Sequence, residues 1–409
     1  MFINIAAGKK INICYIVAII LMISSCFVFD CFTASKCAVA TSASENDSNI
    51  EKEFEDNVND ILSDIDTGEL DEYLTNEFNL EFLSENNFKD MLSKILKGVY
   101  FDEYDSLFDG ILSLIKDNFK QFLKLFLVFL FLVLIYEIFK NISSDKFSEI
   151  NTIVKFIFSL IIILLILQLF KDVSTDVVLI VEKMFNFSKV IFPLLLSLIL
   201  LSGSAGTYSV YSSLSLFLIN GGSYLFTYFL LPLSISIFLI SIFGSILSNK
   251  QFGKVIDVFK SLFKYSIIIY FAIFGLFSSV NIVAAATKDG VGLRLTKYAI
   301  KNYVPIVGGY VSQGFDFIHS CSIIVKNSVG IIGIIVLFFY IIKPVIFYFC
   351  YLIFFKLLSA AVGIIGNGYY SDVFDSAAKT ISYFLTVLVG LFFIIFMFIY
   401  MLIVSVSVI

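Results

Sequence analysis

The chain of 409 residues has no tryptophan, one histidine, one arginine and four prolines. A lone histidine leaves no second imidazole for a histidine-based metal site. Six cysteines, at 14, 26, 31, 37, 321 and 350, show neither zinc nor disulfide-framework spacing. A glycine-rich phosphate loop and a nucleophile–base pair are also missing. These absences favour a non-enzymatic protein without a resident cofactor. Charge is scarce too, at 15% of residues, where soluble domains carry about a quarter.

What fills the chain is apolar. Hydrophobic residues make up 59%, with 48 Phe and a mean hydropathy of +0.96. That is more apolar surface than a water-soluble core can hide, so much of it must face lipid. The charge that exists is segregated. Residues 41–110 hold 20 Asp and Glu against 4 Lys, whereas 11 acids face 20 basic residues after position 118. The net charge of −5 argues against nucleic acid, which needs a basic face.

Residues 1–40 read as a signal. Lys9 and Lys10 precede an apolar run from Ile11 to Phe29, and Ala38-Val39-Ala40 offers a small-x-small cleavage site. Cleavage after Ala40 is the leading reading. An uncleaved anchor, or a lipoprotein box at Ile23-Ser24-Ser25-Cys26, remains open. All three put residue 41 on the far side of the membrane. Residues 41–118 then form a small acidic extracytoplasmic domain. Val58, Ile61, Leu62 and Ile65 recur at helical spacing, as do Phe88, Met91, Leu92, Ile95 and Leu96. So small a unit buries only a marginal core, leaving a partner surface as an alternative to a solvated face.

Residues 119–409 predict an all-α polytopic membrane domain. Phe122–Phe139 and Ile153–Phe170 have the length of spans, and Lys140, Lys146 and Lys155 place the loop between them in the cytoplasm. Residues 171–189 mix charge with apolar positions and suggest a helix lying at the outer interface. Val190–Leu201 and Tyr208–Ile219 are each too short to cross and flank Gly203-Ser204-Ala205-Gly206. That pattern predicts a re-entrant hairpin. Further crossings follow at 223–247, with a kink at Pro232, and at 265–286, after a basic amphipathic stretch at 250–264. Val329–Ile365 crosses once or twice, and 381–409 is the last span.

The prolines suggest a tandem duplication. Pro193 and Pro232 are 39 residues apart, and so are Pro305 and Pro344. Lys-Asp opens each unit, at Lys171 and Lys288, and Asn220-Gly221 sits roughly in register with Asn327 and Gly330. The units would be residues 171–287 and 288–409. Helix breaks are expected at Pro193, Gly203, Gly206, Asn220, Gly221, Pro232 and Pro344. Backbone left unpaired by such breaks is tolerated at membrane depth only where it lines a cavity or is buried in protein.

Polar groups inside this domain are the candidate site. Asp289, Gly290 and Arg294 open its most polar stretch, with Lys297 and Lys301 on the face of Arg294. The plain reading is contact with lipid phosphate; the sharper one is an Asp289–Arg294 pair at a pore mouth or subunit contact, which leaves self-association open. Asp316, His319 and Lys326 follow, with Asp316 and His319 able to face each other. Ionisable residues at membrane depth are functional candidates by default. A tyrosine and serine run from 208 to 228 reads as an interfacial belt or a path lining.

The string Ala286-Thr287-Lys288-Asp289-Gly290-Val291-Gly292-Leu293-Arg294, then Asn302-Tyr303-Val304-Pro305-Ile306-Val307-Gly308, resembles the stage III sporulation protein AE family. So do Lys326-Asn327-Ser328-Val329-Gly330 and Lys356-Leu357-Leu358-Ser359-Ala360-Ala361. The likeness covers roughly residues 120–409; the acidic segment contributes little. It implies an endospore-forming bacterium and the mother-cell membrane around the forespore. It implies a permease-like member of a channel joining the two cells, with a cytoplasmic ATPase and ring-forming proteins as partners. Residues 41–118 would project between the two membranes. Two other functions fit the same residues: a stand-alone solute transporter using Asp289, Arg294 and Asp316, or an assembly scaffold without a conduit.

Overall fold

A computed structural model describes residues 122–140, 148–247, 250–303, 308–365 and 368–405. The signal segment and the acidic segment, 1–40 and 41–118, lie outside the described residues. Among the described residues there is no strand. The helices are α1 (Phe122–Lys140), α2 (Ser148–Leu201), α3 (Ala205–Leu216), α4 (Leu231–Leu247), α5 (Lys250–Tyr303), α6 (Gly308–Ile364) and α7 (Gly368–Val404). Two π-helical segments, Phe217–Gly221 and Tyr224–Leu230, join α3 to α4 in one rod. Six of these units are long and apolar enough to cross a membrane, counting the rod from α3 to α4 as one. The chain is an all-α polytopic membrane protein.

Three helices are far longer than a bilayer core. α2 and α5 have 54 residues and α6 has 57. At ~1.5 Å per residue each exceeds 80 Å, against a hydrocarbon core of about 30 Å.

α7 is the hub. Of its most apolar window, 72% is buried inside the protein, against 22% for α1, α2 and α5. The other helices expose rows of large apolar side chains, such as Leu127, Phe131 and Leu134 on α1 and Ile268, Ile269 and Ile273 on α5. Such rows suit lipid contact, where no hydrophobic penalty attaches to exposure.

Aromatic pairs fix the register around the hub. α6 and α7 form an antiparallel hairpin, with Lys356 beside Asp375 near the turn and Gly330 beside Ile403 at the far end. α2 runs parallel to α7: Phe170 faces Phe384, and Phe192 meets Phe398 edge-on with centroids 4.5 Å apart. α5 is also parallel to α7, through Phe263–Tyr383 and Phe271–Phe393. α6 descends along α2 as α2 rises, with Phe355 against Phe170, Gly333 against Ile191 and Gly330 against Leu195.

One end of the bundle carries a basic rim. Tyr136 stacks edge-on with Tyr370, whose hydroxyl lies 3.2 Å from Ser159 Oγ, so α1, α2 and α7 meet there. Around that level stand Lys140, Lys155, Lys356 and Lys379, and the α5 lysines 254, 260 and 264 begin the parallel helix beside it. The opposite end holds the turn after Leu201, the His319 to Lys326 stretch of α6 and the last turn of α7.

Several expectations need correction. Residues 171–189 do not lie at an interface as a separate helix; they are the middle of α2, upright beside α7. The two short pieces expected to form a re-entrant hairpin are instead the ends of long rods. Helix continues through Pro193 and Pro344, so neither is a break. Pro193 is exposed, and the carbonyl it leaves without an N–H partner sits at the helix surface. Asn220 and Gly221 do not break the chain either; they widen it into π-helix. Pro232 follows the second π segment by two residues, where wider turns make room for its ring. Gly206 lies within α3. Pro232 and Pro344 thus share a setting, inside a rod that follows a chain reversal. Pro193 lies within α2, while Pro305 is outside the described residues, which leaves the duplication as a proposal.

Candidate functional site

The chain does reverse at Ser202-Gly203-Ser204, and the local chemistry is specific. Gly203 has φ 80, a left-handed conformation that costs side-chain-bearing residues energy. Its N–H donates to Leu200 O at 2.9 Å, and the Ser204 N–H donates to Ile199 O at 3.3 Å. This pair of bonds is a Schellman motif, which satisfies two orphan carbonyls at the end of α2. The Ser202 hydroxyl takes Ile199 O as well, at 2.7 Å. The Ser202 carbonyl is left over.

His319 serves that carbonyl. Its Nδ1 lies 2.6 Å from Ser202 O. A carbonyl oxygen only accepts, so Nδ1 carries the proton and Nε2 is turned to its surroundings. Two helical turns on, Lys326 is fully buried at 0% exposure. Its Nζ donates to Ile403 O at 2.8 Å. That carbonyl belongs to the last turn of α7, where no later helical N–H remains to take it. α6 therefore places two basic side chains, one face and two turns apart, on the C-termini of two parallel helices. The negative ends of both helix dipoles favour a positive group there.

The neighbours of Lys326 are fitted to this contact. A Cβ on Gly330 would collide with Ile403 Cγ1 and lie 2.7 Å from Cδ1. A Cβ on Gly333 would lie 3.1 Å from Ile191 Cγ1. These glycines let α6 close on α2 and α7 together, as small residues do between membrane helices. Asn327 Oδ1 is buried without a hydrogen-bond partner among the described residues. Ser204, Ser322 and Ser328 are buried close by in sequence. The result is a polar seam inside an apolar bundle.

Lys326, Asn327 and Gly330 are thus brought together with Gly203. Asp289, Gly290 and Arg294 lie on the continuous helix α5, and Gly308 and Asp316 on α6; their side chains, and Pro305 altogether, lie outside the described residues. Whether Asp316 meets His319, or Asp289 meets Arg294, is outside them too. Sequence reasoning named His319 and Lys326 but missed their acceptors, because a carbonyl at a helix C-terminus has no residue-type signature.

The family model of stage III sporulation protein AE matches residues 86–407. It reaches into the acidic segment, further than the motif strings suggest. A stage III sporulation protein AE of Bacillus subtilis (strain 168) is 26% identical over 203 residues. That match covers 50% of this chain and 51% of the relative, so the chain spans about half the length of the curated relative it matches. No solved structure matches. With its multi-span helical domain and a family match over most of its length, the chain belongs to the stage III sporulation protein AE family and has a role in sporulation.

Proposed function

We propose that the chain is the permease-like membrane component of a transport channel between mother cell and forespore, needed for forespore development after engulfment. The observation that supports this most is the buried Lys326, held with His319 in a seam where α6 meets the C-termini of α2 and α7. A buried ionisable side chain in a membrane bundle is costly and is a functional candidate by default. Its partners would be the cytoplasmic ATPase and ring-forming proteins of the same channel.

The basic rim gives an orientation. Lysines gather on the cytoplasmic side of membrane proteins, so the rim faces the mother-cell cytoplasm. The seam, the extension of α5 past Ser279 and the end of α7 then face the space between the two membranes, together with residues 41–118. With six crossings, position 370 would be inside and position 409 outside, which fits a signal that puts residue 41 outside.

The test is deletion of the gene in its host, followed through sporulation by forespore size and late forespore gene expression. Arrest after engulfment with shrinking forespores is the expected result. Normal spores would remove the channel reading and leave a stand-alone solute transporter to be examined by flux in vesicles.

A further inference from the structure

The middle of α2 carries charge where the bundle is most apolar. Lys171, Asp172, Asp176, Glu182, Asn186 and Lys189 are all exposed, and their spacing puts them on one helix face. The opposite face of the same stretch is buried and apolar, through Val173, Val177, Val181 and Met184.

Register places this stripe at membrane depth. It lies between Phe170 and Leu195, which face Phe384 on α7 and, through Gly330, the level of Ile403. From residue 380 to residue 404, α7 has no charged residue. At the same level α5, whose Phe271 meets Phe393, exposes Ile268, Ile269, Ile273, Leu276 and Phe277. One side of the bundle therefore suits lipid and the other does not. On the first turns of α2 the outward residues are still apolar, with Phe156, Ile157, Leu160 and Leu164 exposed. The change of character begins where α2 passes the level of Phe384.

Three carboxylates in a row cannot face hydrocarbon, and among the described residues no helix covers their outward position to pair with them across a sealed contact. We infer that the charged face of α2 is the wall of a water-filled path at membrane depth. Lysines at its two ends bracket the three acids, so it suits hydrophilic solutes without selecting strongly for one sign of charge. On the side of α6, Asp172 and Asp176 stand within electrostatic reach of Tyr351 and Tyr348, which are buried in the core, so the polar wall ends there. This deepens the permease-like reading and rests on it for what the path carries; the accessibility of the wall is measured without reference to sporulation.

The experiment uses single cysteines in the full-length protein, in membranes of sporulating cells. Asp172→Cys, Asp176→Cys, Glu182→Cys and Asn186→Cys are treated with a membrane-impermeant trimethylammonium methanethiosulfonate, and labelling is read above that of the unsubstituted chain. Leu164→Cys reports the apolar stretch of the same helix face, two turns before the stripe, and Val177→Cys the buried side. Leu179→Cys lies on the stripe and removes no charge, so it keeps the test alive if a charge-removing variant fails to fold. The thiolate reacts only in water, so stripe positions should label roughly tenfold faster than Leu164→Cys or Val177→Cys. Equal, slow labelling at every position would overturn the inference. So would mild oxidation that couples stripe cysteines of two copies while blocking the reagent, since a second copy would then seal the face. The deletion phenotype and the labelling pattern are separate readouts, so failure of one is distinguishable from failure of the other.

Discussion

Lys326 Nζ sits 2.8 Å from the carbonyl oxygen of Ile403, joining the first half of α6 to the last turn of α7 across 77 residues of sequence. Replacing a buried ion by an apolar side chain of similar length is often neutral for folding. Leaving the Ile403 carbonyl without a donor costs about 1–3 kcal/mol. Lys326→Met should therefore still accumulate in the membrane at a level comparable to the natural chain. Spore yield should nevertheless fall by about tenfold or more, as expected for an intramembrane ionisable group that serves function. Immunoblots of membranes beside heat-resistant spore counts make the comparison; normal spores would reduce Lys326 to a helix cap.

Gly330→Ala tests the closeness of α6 to α7. The added methyl meets Ile403 side-chain atoms in a bundle with no slack. Overpacking of this kind costs about 1–3 kcal/mol. A lower melting temperature of the detergent-purified protein is expected, and Ile403→Ala in the same chain should recover part of it. Equal losses from the single and double variants would mean that the two positions do not touch.

Gly203→Val should be worse than Gly203→Asn. At φ 80 the backbone excludes branched side chains and tolerates Asn. A left-handed residue costs roughly 1–2 kcal/mol, which thermal unfolding of the two variants can resolve. If both melt alike, the turn after Leu201 is not held by its glycine.

Asp375 makes a contrast. It pairs with Lys356 at 2.5 Å and with Lys379 at 2.5 Å, yet both lysines are half exposed. Exposed pairs contribute about 0–1 kcal/mol. Asp375→Asn should leave melting temperature and spore yield nearly unchanged.

Sidedness gives a fifth prediction. Reporters fused after positions 370 and 409 should read cytoplasmic and extracytoplasmic, respectively. A cytoplasmic signal at 409 would mean that α7 does not cross as proposed.

The sequence shows the apolar runs of the membrane domain, the turn at Gly203 and the polar residues at 319 and 326, because each rests on local composition; it leaves open whether 329–365 crosses once or twice. It misleads where composition is ambiguous about depth. Charges at 171–189 look interfacial because a charged helix in isolation belongs at a surface; beside α7 the same helix stands upright and turns its charges away from the core. Pro193, Pro232 and Pro344 look like breaks because an isolated helix loses stability at each, whereas helix continues through all three where neighbours bury the rest of the rod. The Asn220-Gly221 pair reads as a break and becomes π-helix. There Tyr270 fills the widened turn, its hydroxyl donating to Leu218 O over a long 3.5 Å, and a Cβ on Gly222 would lie 2.7 Å from that hydroxyl.

The helix most enclosed by the others is also the one synthesised after them. Until α7 leaves the ribosome, α2, α5 and α6 have no common partner, and Lys326 lacks the Ile403 carbonyl that accepts its hydrogen bond. Earlier spans must wait in the bilayer with their inner faces toward lipid, which apolar faces tolerate and the polar seam around Lys326 does not. Biogenesis of this protein is therefore most vulnerable in the interval between insertion of α6 and arrival of α7, and any chain cut short before residue 380 should be left to the quality-control proteases of the membrane.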